Sequence, residues 1–308
     1  MNTEYIANLE VNNYENYLQS LKRACSWAGI SRGRAVTYIK LVRELFEAGK
    51  DSREHILAYN ESCEITDIFE FWESHVSRFP GLKGKIKKCL GKGATLRENE
   101  KTNKFNRPRN DAFAFLLAGN LMRANIKVIA VDGIVEQGTS CHKDADITFE
   151  WTESVIDVEC KRPQTDKGLE ECVKKALQQL ARPSRPGQLG IIAIDCSVLI
   201  RPPGKVINVN FDERAVQRIH NILEVKIKPK VNKQLESNIL GSLLFARVPR
   251  MTPTRISSIL SPQGKLYIVF RPESITSILC INNPNSCNPE IFRSIYESIG
   301  MAINNTAS

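Results

Sequence analysis

Two runs of alternating residues, separated by a short polar break, constrain this chain more than any other feature. They are Asp144-Ala145-Asp146-Ile147-Thr148-Phe149-Glu150-Trp151 and Val155-Ile156-Asp157-Val158-Glu159-Cys160-Lys161. Side chains alternate faces along a β-strand. Ile147, Phe149 and Trp151 therefore share one face of the first run, and Ile156, Val158 and Cys160 share one face of the second. A one-residue slip would turn a whole apolar set to the wrong side. The runs are thus expected to form a hairpin closed by a tight loop at Thr152-Glu153, pairing Phe149 with Ile156 and Ile147 with Val158. The same register sets Asp146 opposite Glu159, with Lys161 two residues further along on that face. Side chains directly opposed across two strands stand about 5 Å apart at Cβ. Two carboxylates that close repel unless a cation lies between them. Mg2+ takes oxygen ligands at about 2.1 Å and usually keeps several waters, so it suits the gap. Two acids and an ammonium at this spacing suit hydrolysis of a phosphodiester by a metal-activated water.

The neighbouring sequence predicts the elements around that hairpin. Asn110 to Asn125 reads as an apolar helix with an Asx residue at its start, and Lys127 to Asp132 as a short buried strand ending at Gly133. Beyond the hairpin, Pro163 ends the pairing. A helix is expected from Leu169 to Ala181 and a buried strand from Gly190 to Leu199. Helix, strand, strand, strand, helix, strand is an α/β order, a sheet covered on both faces.

This order, with Ala145-Asp146 on the second strand and Glu159-Cys160-Lys161 on the third, resembles the PD-(D/E)XK nuclease superfamily, which includes restriction endonucleases and Holliday-junction resolvases. The likeness covers about residues 110–200, and Ala145 stands where the motif has proline. It implies a restriction-endonuclease-like core with a mixed central sheet flanked by helices. It further implies that Asp146, Glu159 and the main-chain carbonyl of Cys160 hold Mg2+ or Mn2+, and that Lys161 orients or deprotonates the attacking water. The family often adds an acid on the first helix, for which Asp111 is the nearest candidate, either joining the site or only capping the helix. Some members carry a glutamine on the helix after the lysine. Gln178 falls opposite the apolar face of that helix and Gln179 at its edge, so Gln179 is the expected fourth catalytic residue.

Residues 1–100 are expected to be helical, with apolar periodicity over Tyr14–Trp27, Arg34–Ala48 and Ile65–Val76, and to form a region separate from a nuclease domain at 101–308. Between them, Gly81 to Arg109 carries Lys83, Lys85, Lys87, Lys88, Lys92, Arg97, Lys101, Lys104, Arg107 and Arg109 with few acids and several glycines, and reads as a basic loop or linker. Each phosphate neutralised by a basic side chain releases counterions. Lys85, Lys87, Lys88, Arg107 and Arg109, with Arg162 beside the motif, are the expected nucleic-acid contacts. In the last third, a helix near Asp212–Val225, strands near Ser242–Val248 and Lys265–Phe270 and a helix near Pro289–Ile299 would extend the sheet.

Composition narrows the function classes. The 308 residues carry a net charge of +9, which favours an acidic partner; DNA is expected ahead of RNA, and a homodimer if both strands of a duplex are cut. Nine scattered cysteines with no C-x-x-C pair speak against a zinc module, and Cys141-His142 has no further ligands nearby. Reduced thiols and the absence of a signal peptide from the first residues lead to the expectation of a cytoplasmic protein. The longest apolar run, Leu189–Ile200, is interrupted by Asp195 and too short to span a membrane. No P-loop and no G-x-G-x-x-G after a strand is present, and His55, His75, His142 and His220 adjoin no nucleophile turn. The competing reading of Asp146, Glu159 and Lys161 is a solvated polar face laced by ion pairs, which would leave a nucleic-acid-binding or assembly protein with a silent nuclease fold.

Overall fold

The computed structural model describes residues 5–6, 11–47, 52–96, 107–140, 144–181, 189–200, 219–233, 235, 238–260, 266–283, 285–286 and 288–305. The first hundred residues supply β1 (Tyr5–Ile6), α1 (Val11–Ala28), α2 (Arg34–Glu47), α3 (Arg53–His75) and α4 (Leu82–Gly91). Then come α5 (Arg107–Arg123), β2 (Lys127–Val131), β3 (Ile134–Val135), β4 (Ile147–Trp151), β5 (Ser154–Lys161), α6 (Asp166–Leu180), β6 (Leu189–Asp195) and α7 (Ser197–Ile200). A π-helical turn at Leu223–Ile227 runs into α8 (Lys228–Asn232), followed by β7 (Ile239–Leu260), β8 (Leu266–Asn282) and α9 (Pro289–Asn305).

The strands form one mixed sheet in the order β1-β8-β7-β6-β5-β4-β2-β3. The expected helix-strand-strand-strand-helix-strand order is present in α5, β2, β4, β5, α6 and β6, with the two-residue β3 inserted. Strands β2, β4 and β5 pair antiparallel in succession, whereas β5, β6 and β7 run parallel. The hairpin has the register that its alternation demanded: Ile147 pairs with Val158 and Phe149 with Ile156. Thr152 closes it at φ 54, a left-handed backbone that few β-branched residues adopt.

Alternation also divides the core. Ile147, Phe149, Ile156, Val158 and Cys160 point into a cluster shared with α1–α5 and α9; Ile192 and Ile194 point the other way, into a cluster shared with α6 and the helix ending at Asn232. Among the described residues, helices 1–5 have no core of their own, because the first cluster continues from Leu21 through Trp72 and Phe115 to the sheet. The boundary expected near residue 100 is therefore not a break between two cores. Buried charge reinforces the junction. Arg109 of α5 donates to Glu61 of α3 at 2.6 Å, to the Tyr38 hydroxyl at 2.7 Å and to the Thr95 carbonyl at 2.8 Å. Arg34 of α2 pairs with Glu64, one turn further along α3, at 3.2 Å, and donates to the Cys89 carbonyl of α4. At the other end of the chain, Arg247 on β7 pairs with Asp67 on α3.

Several boundaries differ from expectation. The segment read as a basic linker contains α4, whose Leu82, Ile86, Cys89 and Leu90 are buried at helical spacing. Where α2 begins, Gly33 (φ 97) lies so close to α4 that a Cβ would strike the Gly91 carbonyl. Helix α3 starts twelve residues before Ile65, at Arg53. Strand β6 stops at Asp195, whose carboxylate accepts the Ser197 N–H at 3.0 Å and turns the chain into α7. Strands β7 and β8 are much longer than expected, with Pro249, Pro253 and Pro272 within the ladder and a register irregularity between Pro253 and Ser258. Arg97, Lys101, Lys104, Cys141, His142 and the first half of the helix expected near Asp212 lie outside the described residues.

Candidate active site

The polar end of β5 lies beside α6. Glu159 and Lys161 pair with Ile192 and Ile194 across the parallel β5–β6 ladder, and parallel partners share a face. Just beyond the last β4–β5 ladder pair, the Asp146 carboxylate accepts the Cys160 N–H at 2.8 Å. The main-chain N–H and C=O of one extended residue point to the same side, so the Cys160 carbonyl also faces the Asp146 edge. Lys161 Nζ lies 2.6 Å from Glu159 Oε2 and 3.8 Å from Asp146 Oδ2. The three predicted groups therefore converge. Glu159 is only 2% exposed at its side chain, Lys161 15% and Asp146 36%, so the cluster opens to solvent on the Asp146 side.

Burial, then the charge of Asp146, pushes the Glu159 carboxyl up to about 7, although Lys161 opposes the shift. For Lys161, burial favours loss of the proton, but Glu159 and Asp146 outweigh it and hold the ammonium above its ordinary range. A lysine so held is a donor and a positive charge; the base role expected alongside orientation of water fits it less well. Deeper on the same face, Thr148 Oγ1 donates to Asp157 Oδ1 at 2.7 Å, and burial raises that carboxyl to about 6.

Two further acids adjoin the cluster. Helix α5 begins at Arg107, so Asp111 sits one turn inside it and is not its cap. Burial raises the Asp111 carboxyl to about 6, followed by the charge of Asp132, and Asp146 adds to the rise. In the sequence Asp132 reads only as the last residue of a buried strand. It follows β2 at φ 48, with Gly133 at φ 71, and its N–H donates to the Asp146 carbonyl at 2.7 Å. An Asp-Gly pair after a buried strand is a turn signal, and it carried no hint that the turn meets Asp146.

The other candidates divide. Gln179 is exposed near the end of α6. A helix joining two parallel strands must run back against them, which carries Gln179 away from the end of β5. Cys172 on α6 lies close enough to feel the Lys161 charge, and Gln179 lies seven residues past it, about 10 Å along the helix. Arg109 and Arg162 are not available to a phosphate backbone: Arg109 is enclosed with Glu61, and Arg162 is buried with its Nε 2.9 Å from Asp195 Oδ2. Lys85 is engaged by Asp132, at 2.7 Å from its carboxylate. Lys87, Lys88 and Arg107 are exposed.

Among the described residues, no three His, Cys, Asp or Glu side chains are grouped so as to hold a metal ion. Asp146 and Glu159 thus offer two carboxylates, and the Cys160 carbonyl a third oxygen. That all-oxygen donor set fits Mg2+ or Mn2+, which completes its shell with water. No described helix is long and apolar enough to cross a membrane. No protein-family model matches the chain, and neither does any curated protein or solved structure.

Proposed function

We propose that this chain is a metal-dependent nuclease that hydrolyses phosphodiester bonds of DNA, built on a restriction-endonuclease-like core. The observation that carries the proposal is the convergence of Asp146, Glu159 and Lys161 at the open end of the β4–β5 hairpin, with Glu159 buried beside a second carboxylate. Lys161 offsets part of the cost of that pairing and leaves the Glu159 carboxyl raised, and a bound cation would offset the rest. Asp146, Glu159 and the Cys160 carbonyl would hold Mg2+ or Mn2+, which when bound polarises a phosphoryl oxygen and acidifies a coordinated water. Lys161 donates toward the attacking water and offsets the charge that gathers on phosphorus. Asp111 on α5 feels the charge of Asp146 but is not grouped with it and Glu159 as a third ligand. The exposed lysines of α4 and the net charge of +9 suit a phosphate backbone. Cutting both strands of a duplex would favour a homodimer.

One observation favours a second reading, a catalytically silent DNA-binding or assembly protein that keeps the fold. The carboxylates already have internal partners, Lys161 for Glu159 and the Cys160 N–H for Asp146. Incubation with plasmid and single-stranded DNA in Mg2+ or Mn2+ separates the two. The wild type should cut, and Asp146→Ala should reduce cutting to background while DNA binding by gel shift stays within about twofold. Equal behaviour of the two proteins removes the enzymatic reading.

A further inference from the structure

We infer that Lys85, from the helical N-terminal region, is a positioning residue for the candidate metal ligand Asp146, acting through the turn at Asp132. The inference rests on the nuclease reading for its metal, but its geometry stands apart from it. Lys85 Nζ donates both to the Asp132 carboxylate, at 2.7 Å, and to the Asp132 main-chain carbonyl. One ammonium thereby holds both ends of a residue whose backbone is left-handed. Aspartate is among the few non-glycine residues that adopt such a backbone readily, and Asp132-Gly133 is the two-residue turn that joins β2 to β3; Lys85 anchors that turn from outside it. The Asp132 N–H grips the Asp146 carbonyl at 2.7 Å, immediately before β4 begins.

The chain of contacts thus runs from α4 to the Asp132 turn and on to the backbone of Asp146. The Lys85 side chain is about one-third exposed and its Asp132 partner 17% exposed. Helix α4 is fixed independently, by the burial of Leu82, Ile86, Cys89 and Leu90 and by the Arg34 bond to the Cys89 carbonyl. Lys85 therefore starts from a rigid base. A lysine that only added charge near the site would oppose a cation there; one that positions Asp146 favours it. The two roles predict opposite signs when the ammonium is removed.

The test is Lys85→Met, which keeps the stem and removes the donor, with Lys85→Arg and Asp132→Asn beside it. Two quantities are read: hydrogen exchange of the Asp132 amide, and Mn2+ affinity by calorimetry. Lys85→Met should exchange that amide at least about tenfold faster and bind Mn2+ about tenfold more weakly, the size of loss typical when an outer partner of a metal ligand is removed. Lys85→Arg should recover both. Asp132→Asn keeps the main-chain carbonyl and one side-chain oxygen but loses the charge of the ion pair, and should move both quantities in the same direction as Lys85→Met, by less; a shift in the opposite direction counts against the positioning role. Unchanged amide exchange in Lys85→Met, or unchanged or tighter Mn2+ binding, overturns the positioning role. A wild type that binds no Mn2+ overturns the metal reading, while the amide exchange still decides whether Lys85 holds the turn.

Discussion

Glu159 shows how one side chain can carry conflicting demands. Burial, then the neighbouring Asp146, lifts its carboxyl from 4.5 to about 7. A carboxyl that holds its proton more tightly in the folded state stabilises that state fully below the unfolded value, and the contribution is lost as pH rises through the folded one. Without metal, the Glu159 contribution should therefore fall between about pH 4.5 and 7. Urea unfolding in EDTA checks this: wild type should lose more stability between pH 5 and 8 than Glu159→Gln does. Saturating Mn2+ should narrow the difference, since a cation on the carboxylates favours their ionised form. Parallel curves for the two proteins would remove Glu159 as the source. At this scale Asp146, Glu159 and Lys161 were legible from alternation alone. Arg109 and Arg162 were not, because a basic residue in a sequence does not reveal its partner. Glu61 lies 48 residues from Arg109, and Asp195 33 from Arg162.

Helix α4 is the element that the sequence disguised. Its four lysines, with Gly81, Gly84 and Gly91 in and around it, look like a connector. Leu82, Ile86, Cys89 and Leu90 nonetheless recur at helical spacing, and they fix the helix on the core. That placement sorts the lysines. Lys85 turns inward to Asp132, whereas Lys87 and Lys88 face solvent. Lys87→Glu with Lys88→Glu should weaken DNA binding and flatten the plot of log affinity against log salt by roughly one for each phosphate no longer neutralised. An unchanged slope would clear this face of α4 of any part in holding the DNA backbone. The hairpin is the opposite case. Its register followed from one apolar face per strand, and only its left-handed Thr152 lay beyond reach of the pattern. For Gln179, helical phase says which side a residue faces and nothing about its height along the axis, and it sits near the far end of α6.

The molecule is tied together across its length. One apolar cluster runs from α1 to the sheet, and Arg109, Glu61, Arg34 and Glu64 lie enclosed where the helical layer meets α5. Removing one partner of a buried pair leaves the other charge stranded, at a cost of about 3–5 kcal/mol. Arg109→Met should lower stability by that order. In urea, tryptophan fluorescence and far-UV circular dichroism should still report one coincident transition, since Trp72 lies in the cluster that holds Trp27 and Trp151 at its edge. Separate transitions would show that the helical layer is independent after all. The sheet order was legible only in part, because β7 and β8 contain prolines that break the strand signal in sequence yet fit the ladder.

The ion pair between Asp67 and Arg247 joins positions 180 residues apart. At about 5–20 residues per second, the ribosome delivers the second partner roughly 10–40 s after the first. For that interval α3 must wait with its β7-facing side uncovered, a nascent-chain state that invites chaperone attention and makes the last third of the message decisive for whether the first third ends in its final place.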